Sequence, residues 1–212
     1  MKMINVLVVD DHSIIRKGIH LLLQDTPDLR VTGEAESGME ALKLVRENHY
    51  DVVLLDINMP GEHGIDVLKK LKASHPDLPV VILSMYSEQE YAMRSLKAGA
   101  SAYLNKQSAL TDLVAAVRQV ASGKRFISAD LALQLAENLL QPQHEHPHQA
   151  LSHREYQTLC LIASGKKLSE MAEIMSLSAK TVSVYRARMM EKMHFRTNAE
   201  MIHYAITHNL VT

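Results

Sequence analysis

The chain has little of what disulfide-linked and membrane proteins need. It has one cysteine, Cys160, in 212 residues, so no disulfide framework is possible and a reducing compartment suits it. The apolar run in the opening MKMINVLVVDD is too short for a signal peptide, and no apolar stretch reaches transmembrane length. We therefore expect a soluble, cytoplasmic protein of one or two domains, without a membrane partner.

The chain also lacks a net charge that would dictate its partner. Its 23 basic and 24 acidic residues leave a formal charge of −1. The balance differs along the chain: from Leu151 onward, eight basic and five acidic residues give +3, which leaves −4 for residues 1–150. A basic C-terminal segment behind an acidic body is a mild indication of nucleic-acid binding.

Strand-like and helix-like segments alternate through the first half. Apolar, β-branched runs predict five strands, and apolar residues at helical spacing predict a helix after each of them. Near-continuous apolar strands favour a parallel sheet that helices cover on both faces, which is a doubly wound α/β fold. The predicted strands are 4–9, 29–35, 51–55, 79–84 and 101–105, and the predicted helices are 13–24, 40–47, 64–73, 88–98 and 109–121.

Beyond Ser122 the pattern changes. Residues 130–140 predict one more helix, and Gln141–Gln149, with two prolines and almost no apolar residues, is typical of a linker. Its three histidines allow two interpretations, a metal-binding tract or a solvated linker. The linker is favoured because no further ligand-rich cluster accompanies them. The C-terminal segment is all-α, with helices predicted at 152–163, 168–175, 179–193 and 197–208.

Polar side chains follow the ends of the predicted strands. Asp10 and Asp11 follow the first strand, Asp56 the third, Ser84 ends the fourth and Lys106 follows the fifth. In a doubly wound sheet the carboxyl ends of the strands form the ligand-binding edge, so we expect these side chains to meet. Clustered carboxylates raise one another's pKa, and an oxygen-preferring cation such as Mg²⁺ relieves that repulsion.

This combination is typical of phosphoryl transfer. A carboxylate beside a hard cation can attack phosphorus and form an aspartyl phosphate, whose charge the cation screens. Lys106 can contact one phosphate oxygen as a point charge, and the Ser84 hydroxyl can donate to another. The alternative is that each acid is an ordinary loop residue or helix cap. For Asp11 alone this alternative stays open, because Asp11 can cap the helix that follows it.

The predicted helix within Ser176–Met193 has two contrasting sides. Its core side consists of Val182, Tyr185, Met189 and Met193. Its opposite side consists of Lys180, Ser183, Val184, Ala187 and Arg188. Basic residues can meet phosphates, small residues permit close approach and valine can touch a thymine methyl, so this side suits the major groove of DNA. Arg186 lies nearer the core side, and we expect it on a phosphate or partly buried.

A plain helical bundle with a polar face is the alternative interpretation of this segment. Taken alone, the helix allows either. The preceding helix, Leu168–Met175, and the short turn at Ser176–Ser178 favour a helix-turn-helix.

The motifs VLVVDDH, DVVLLDINMPGEHGID, VVILSMYS and AGASAYLNK, in order over about residues 3–122, resemble the receiver domain of two-component response regulators of the NarL/FixJ family. The resemblance implies a flavodoxin-like sheet in which Asp56 is the phosphoacceptor, Ser84 and Tyr103 are the switch pair and Lys106 binds the phosphoryl group. The Mg²⁺ ligands that it implies are Asp10, Asp11, Asp56 and the backbone carbonyl of Asn58. Many receivers have proline after the lysine, often with a cis bond; here Gln107 follows, and the sequence leaves the conformation of this bond open.

The segment LSHREYQTLCLIASGKKLSEMAEIMSLSAKTVSVYRARMMEKM resembles the LuxR-type DNA-binding domain, over about residues 150–210. It departs from the family at Ser183, where a charged residue is common, and at GKKLSEMA, which replaces a commoner pattern that contains asparagine. The base preference of the family therefore cannot be carried over to this chain. The DNA-binding residues that we expect are Lys180, Thr181, Ser183, Val184, Arg186, Ala187 and Arg188. The expected organisation is a receiver domain at 1–122, a linker at 123–149 and a DNA-binding domain at 150–212.

These features predict a transcription regulator, not an enzyme. A sensor histidine kinase or a small phosphodonor would phosphorylate it, and it would bind double-stranded DNA as a homodimer.

Three alternatives to this function remain. A Mg²⁺-dependent phosphatase with an aspartate nucleophile would need a second acid where the chain has Asn58. A DNA-binding protein with a phosphorylation-independent receiver scaffold would not need the intact acid set. A flavin carrier would need a phosphate-cradling loop where Asp10 and Asp11 would repel the ligand.

Overall fold

The structure, a computed structural model, describes residues 3–59, 63–84, 89–106, 109–129, 131–133 and 146–211. Contacts divide the chain into two units, Met1–Gln141 and Pro142–Thr212. Among the described helices, none is both long and apolar enough to cross a bilayer.

Strands and helices alternate through the first unit, as the sequence predicts. They are β1 Ile4–Val9, α1 Ser13–Gln24, β2 Leu29–Ala35, α2 Gly38–Glu47, β3 Val52–Asp56, α3 Gly64–Ser74, β4 Val80–Ser84, α4 Gln89–Lys97, β5 Ala102–Asn105 and α5 Ala109–Ala121. All strand pairs are parallel, in the order β2-β1-β3-β4-β5. The prediction of a doubly wound α/β fold is confirmed. Helix α2 begins two residues before the predicted start because Ser37 caps it by accepting a hydrogen bond from the Glu40 backbone N–H.

The sheet is buried on both faces, which explains its continuous apolar strands. Every residue of β3 and β4 is buried. One face packs against α1 and α5 through Leu23, Leu113 and Val117, and this cluster includes alternate residues of the central strands, among them Val52 and Leu54. The order of strands reverses at β1, whose neighbours are β2 and β3. The carboxyl ends of β1 and β3 therefore lie at the switch point, where ligands bind in this class of fold.

An ion pair connects Asp28, directly before β2, to α5. Arg118 donates from Nε to Asp28 Oδ2 at 2.8 Å and from Nη2 to Asp28 Oδ1 at 2.6 Å. The Asp28 carbonyl also accepts from the Ile4 backbone N–H at 2.9 Å. The hydrogen bonds from Arg118 lower the pKa of Asp28, despite the opposing effect of burial.

Helices make up the second unit. They are a 3-10 helix at Pro147–Ala150, α6 His153–Ala163, α7 Leu168–Ile174, α8 Ala179–Met193 and α9 Asn198–Thr207. The four α-helices agree with the prediction to within one residue at each end. Their fully buried residues include Tyr156, Leu159, Val182, Met189 and Met201.

The interpretation of the linker histidines as solvated is wrong for His148. This residue is only 4% exposed, and its Nδ1 lies 2.8 Å from the Tyr204 hydroxyl oxygen. Its ring stacks on His146, with centroids 5.3 Å apart, and His146 meets His208 at 5.0 Å. The local composition is polar, but Tyr204 on α9 and His208 directly after it supply aromatic packing partners. Residues 141–145, and most of the helix predicted at 130–140, lie outside the described residues; within the latter, 131–133 are helical.

Replacement of Asp28 by asparagine tests the ion pair. Because the pKa of Asp28 is lowered in the folded state, its contribution to stability is present above the pKa of the unfolded chain, about 4, and disappears as the pH falls through the folded-state pKa. We expect Asp28→Asn to lower the free energy of unfolding at pH 7, with the deficit narrowing below about pH 4. Urea unfolding of the full chain at several pH values measures this. The exposed Asp25→Asn variant is the control, and an equal, pH-independent effect of both variants would contradict the role.

Candidate functional site

The strand register brings two acids together at the switch point. Val9 of β1 pairs with Leu55 of β3, and the next residues along these strands are Asp10 and Asp56. Both are almost completely buried, at 0% and 1% exposure. Two desolvated carboxylates side by side need a cation nearby, because their mutual repulsion and lost hydration both disfavour ionisation.

Lys106 supplies a positive charge to both acids. Its Nζ lies 2.6 Å from Asp10 Oδ2 and 3.0 Å from Asp56 Oδ2. Its backbone N–H donates to the Ser84 carbonyl at 2.7 Å, so the ends of β4 and β5 hold the lysine in position. The sequence places these residues at separate strand ends, and the sheet brings them into direct contact.

The pKa values at this site move in ways that keep Lys106 charged. Burial raises the pKa of Asp56, as does the nearby Asp10, while Lys106 opposes the shift. Burial by itself lowers the pKa of Lys106, but Asp56 and Asp10 outweigh it, and the pKa rises. The site is therefore a charged lysine between two acids, one of which is costly to ionise without a further positive charge.

The surrounding oxygen atoms fit a divalent cation. One ligand atom from each of Asp10, Asp11, His12 and Asp56 lies within 4.8 Å of the others. Among the described residues, buried oxygens Asp11 Oδ1 and Asn58 Oδ1 have no hydrogen-bond partner. His12 Nδ1 lies 2.9 Å from Asp11 Oδ1, but not in hydrogen-bonding geometry. The Asn58 backbone N–H donates to Asp56 Oδ1 at 3.2 Å, which brings the Asn58 backbone beside the acids.

Ser84 and Tyr103 occupy neighbouring strands at the same edge. Ser84 is fully buried and Tyr103 is 6% exposed. The register pairs Ser84 with Asn105 and Ile82 with Tyr103, so the tyrosine lies two residue pairs further from the strand end. Their roles as a switch pair stay a prediction, and Gln107 lies outside the described residues.

The sequence alone did not identify Arg16 as part of this region. It is 7% exposed, and its Nη1 donates to the Asp10 carbonyl at 2.7 Å. Its Nε and Nη2 donate to Glu34 at 3.0 Å and Glu36 at 2.5 Å. Arg16 thereby fixes the turn that carries the acids. The sequence feature that could have identified Arg16 is its position on the apolar side of α1, beside Ile15 and Ile19, where an arginine needs polar partners.

The second unit presents the predicted polar side of α8 to solvent. Its exposed residues are Lys180, Ser183, Val184, Ala187 and Arg188. Val182, Met189 and Met193 are buried, whereas Tyr185 and Thr181 are half-buried. Val184, at 43% exposure, lies between polar and basic neighbours, an arrangement compatible with contacts to bases in a groove. Arg186 is partly buried, which is one of the two expected outcomes, and its Nη2 donates to Asn198 Oδ1 at 2.6 Å.

A short turn connects α7 to α8. Ser176 has a φ of +52°, and the Leu177 backbone N–H donates to the Ala172 carbonyl at 2.9 Å, which closes the end of α7. Ser178 caps α8 by accepting from the Thr181 backbone N–H at 3.1 Å. Two helices joined by such a turn form a helix-turn-helix, in which the second helix carries the exposed side.

Glu155 fixes α8 against α6. It accepts from the Ser152 backbone N–H at 2.8 Å and from Lys192 Nζ at 2.7 Å through the same oxygen. Burial opposes ionisation, but the hydrogen bonds from Lys192 and Ser152 lower the pKa of Glu155. The orientation of the exposed side of α8 is thus set by an ion pair as well as by apolar packing.

Replacement of Lys106 by methionine tests the charge arrangement in the first unit. Because two buried carboxylates would lose their counterion, we expect the free energy of unfolding to fall by about 3–5 kcal/mol. Asp56→Asn in the same chain should recover part of the loss, because it removes one buried charge. Chemical unfolding at pH 7 measures both. Lys97→Met, at an exposed position of α4, is the control, and an equal effect of the two lysine substitutions would refute the arrangement.

Two family models match the chain. The response regulator receiver domain matches residues 6–118, and the luxR family of bacterial regulatory proteins matches residues 149–205. Each match covers the unit in which the corresponding geometry occurs.

Curated relatives match the chain over almost its whole length. Response regulator UvrY of Escherichia coli (strain K12) is 41% identical over 209 residues, covering 98% of this chain and 96% of that protein. Response regulator GacA of Pseudomonas aeruginosa is 42% identical over 210 residues, covering 99% and 98%. The structure of RcsB from Salmonella enterica serovar Typhimurium, bound to promoter rprA in the presence of the phosphomimetic BeF3-, has a TM-score of 0.64 and 26% identity, covering 95% and 98%. The chain belongs to the NarL/FixJ family of two-component response regulators, which join a receiver domain to a LuxR-type DNA-binding domain.

Proposed function

We propose that this protein is a transcription regulator whose binding to DNA is controlled by phosphorylation of Asp56. The observation that carries the proposal is the position of Asp56, which is buried at the end of β3, 3.0 Å from Lys106 and beside Asp10. We assign residues 1–122 to the receiver domain, 123–149 to the linker and 150–212 to the DNA-binding domain.

In this proposal Asp56 is the nucleophile. Its carboxylate oxygen attacks the phosphorus of a phosphohistidine on a sensor kinase or of a small phosphodonor, and the bond from phosphorus to the donor breaks as the bond to Asp56 forms. Lys106 Nζ already contacts Asp56 and can move from the carboxylate to the phosphoryl oxygens once these carry the negative charge. Asn58, two residues after Asp56, is an amide that cannot act as a general acid, so we propose no catalytic turnover of phosphate esters.

We propose Mg²⁺ as the cofactor, held by Asp10, Asp11, Asp56 and the Asn58 carbonyl. Two observations support this assignment: the buried Asp11 Oδ1 has no hydrogen-bond partner, and the hydrogen bond from the Asn58 N–H to Asp56 Oδ1 holds the Asn58 backbone beside the acids. When bound, the cation neutralises charge on the acids and on the incoming phosphoryl group. The protein's own contribution is to hold the buried Asp56 carboxylate in place through the Asn58 N–H and Lys106.

Phosphorylation adds negative charge where Lys106 now divides its contacts between two acids. We propose that Lys106 and the Ser84 hydroxyl turn to the phosphoryl oxygens and that Tyr103, on the adjacent strand, changes its position. Because the Lys106 N–H bonds to the Ser84 carbonyl, a change at either residue affects the ends of both β4 and β5. Such a change would bias the receiver surface between two states.

The output is DNA binding through the exposed side of α8. We propose that Lys180, Arg186 and Arg188 meet phosphates, while the small side chains allow close approach to bases. The DNA-contacting set is completed by Thr181, Ser183, Val184 and Ala187. One small module gives limited specificity, so we propose a homodimer on paired half-sites of double-stranded DNA, acting in the cytoplasm where the DNA is found.

Phosphorylation of Asp56 is tested by its replacement with asparagine. We expect Asp56→Asn to lose phosphate incorporation from acetyl phosphate with Mg²⁺, because the amide is not a nucleophile, and to lose the phosphodonor-dependent change in DNA binding. Radiolabel incorporation and a DNA-binding titration measure the two effects. Asp77→Asn, at an exposed acid of the same unit, should behave as the unaltered chain does. Normal incorporation in Asp56→Asn would rule out the proposed phosphoacceptor.

The DNA interface is tested by two substitutions on α8. Arg188→Ala should weaken binding to all sequences alike and reduce the slope of log K against log salt by about 1, because one phosphate contact is lost. Val184→Ala should change the preferred base at one position and leave the slope unaltered. Selection of bound DNA from random sequence, followed by salt titration, measures both effects. Arg30→Ala, an exposed arginine of the receiver, is the charge-matched control; the same loss in it and in Arg188→Ala would contradict the assignment.

A further inference from the structure

We propose that His12 is a further ligand at the cation site and shifts its selectivity from Mg²⁺ towards divalent transition ions such as Mn²⁺. The inference rests on the cation site of the proposed function. The ligand atoms of Asp10, Asp11, His12 and Asp56 lie within 4.8 Å of one another. His12 Nδ1 lies 2.9 Å from Asp11 Oδ1 and 3.2 Å from Asp10 Oδ1. An imidazole nitrogen thus lies among the carboxylate oxygens.

The backbone fixes His12 beside these acids. Its N–H donates to Asp10 Oδ1 at 2.8 Å, and its carbonyl accepts from the N–H groups of Ile15 and Arg16 at 3.0 and 3.2 Å. His12 is the N-cap residue of α1, but its side chain makes no capping hydrogen bond. The ring is therefore not needed to start the helix. Instead, a hydrogen bond between its Nδ1 and Asp10 Oδ1, at 3.2 Å, directs this nitrogen to the acids.

A neutral His12 ring can bind a cation through Nδ1, and its exposure to solvent leaves Nε2 free to carry the proton. The His12 side chain is 61% exposed. A neutral imidazole carries one proton, and when that proton is on Nε2, Nδ1 offers a lone pair to a cation. Nε2 can then donate to solvent. The change from one tautomer to the other exchanges protons with water but leaves the charge of the ring unaltered.

The combination of carboxylate oxygens and an imidazole nitrogen determines which ions bind more tightly because of His12. Mg²⁺ prefers oxygen ligands and retains bound waters, so an imidazole in place of a water adds little to its affinity. First-row transition ions accept imidazole nitrogen readily, and Mn²⁺ also accepts carboxylate and water. A site with three carboxylates and one imidazole should therefore gain affinity for Mn²⁺ from His12 and gain almost none for Mg²⁺.

The experiment compares the full chain with His12→Phe, which keeps a ring but removes both nitrogens. Pulsed electron paramagnetic resonance of bound Mn²⁺ detects a coordinated ¹⁴N nucleus directly. Continuous-wave spectra give the Mn²⁺ dissociation constant, and competition gives that of Mg²⁺. His20→Phe, an exposed histidine further along the same helix, is the matched control. Asp11→Asn reports separately on the cation site itself.

We expect a ¹⁴N signal in the unaltered chain and in His20→Phe, and its loss in His12→Phe. The Mn²⁺ dissociation constant should rise about tenfold in His12→Phe, comparable to the smallest losses that follow removal of a metal-site partner. The Mg²⁺ constant should change by less than about twofold, because Mg²⁺ keeps water in place of the nitrogen.

A missing ¹⁴N signal in the unaltered chain, its persistence in His12→Phe, or an equal change for the two ions would overturn the role of His12. In each of these cases Asp11→Asn would still weaken both ions, and the cation site of the proposed function would stand. If instead neither ion binds, or Asp11→Asn leaves binding of both unaltered, the cation site itself fails and the role of His12 fails with it.

Discussion

The contact of Lys106 with Asp10 and Asp56 is the interaction on which the receiver site depends. The parallel sheet forces the ends of β1 and β3 together, and both carry a carboxylate that is out of contact with water. Without a cation, the lost hydration and the mutual repulsion of these acids would oppose folding of the sheet edge. Lys106, 2.6 Å from one acid and 3.0 Å from the other, offsets that cost and raises its own pKa in doing so.

The same arrangement makes the site responsive. Lys106 balances two acids, so a new negative charge on Asp56 competes for it, and its backbone bond to Ser84 connects that competition to β4. Arg16 bonds the Asp10 carbonyl and two glutamates, so the turn between β1 and α1 keeps its position while the lysine ammonium can move.

The DNA-binding unit follows a different physical logic. Its exposed side on α8 follows from the helical repeat, because the apolar residues that face the core leave Val184 and Arg188 outside. Its orientation depends on tertiary contacts such as the ion pair of Glu155 with Lys192. The boundary of the unit also includes His148, whose burial depends on Tyr204, 56 residues away, so the local proline-rich, polar composition gave the wrong expectation of a solvated residue.

The sequence by itself determined the order of the elements, the family and which residues stand at strand ends or on a helix side. Asp10, Asp56 and Ser84 could be assigned because strand periodicity and chain order place them, and Val182 and Val184 could be separated because the helical repeat is regular. Only the tertiary structure decided which side chains meet. Lys106 and Asp10 are 96 residues apart, and Arg118 and Asp28 are 90 apart. Such contacts, and those of Arg16 and His12, depend on how elements pack and which rotamers fit, and local periodicity carries no information about either.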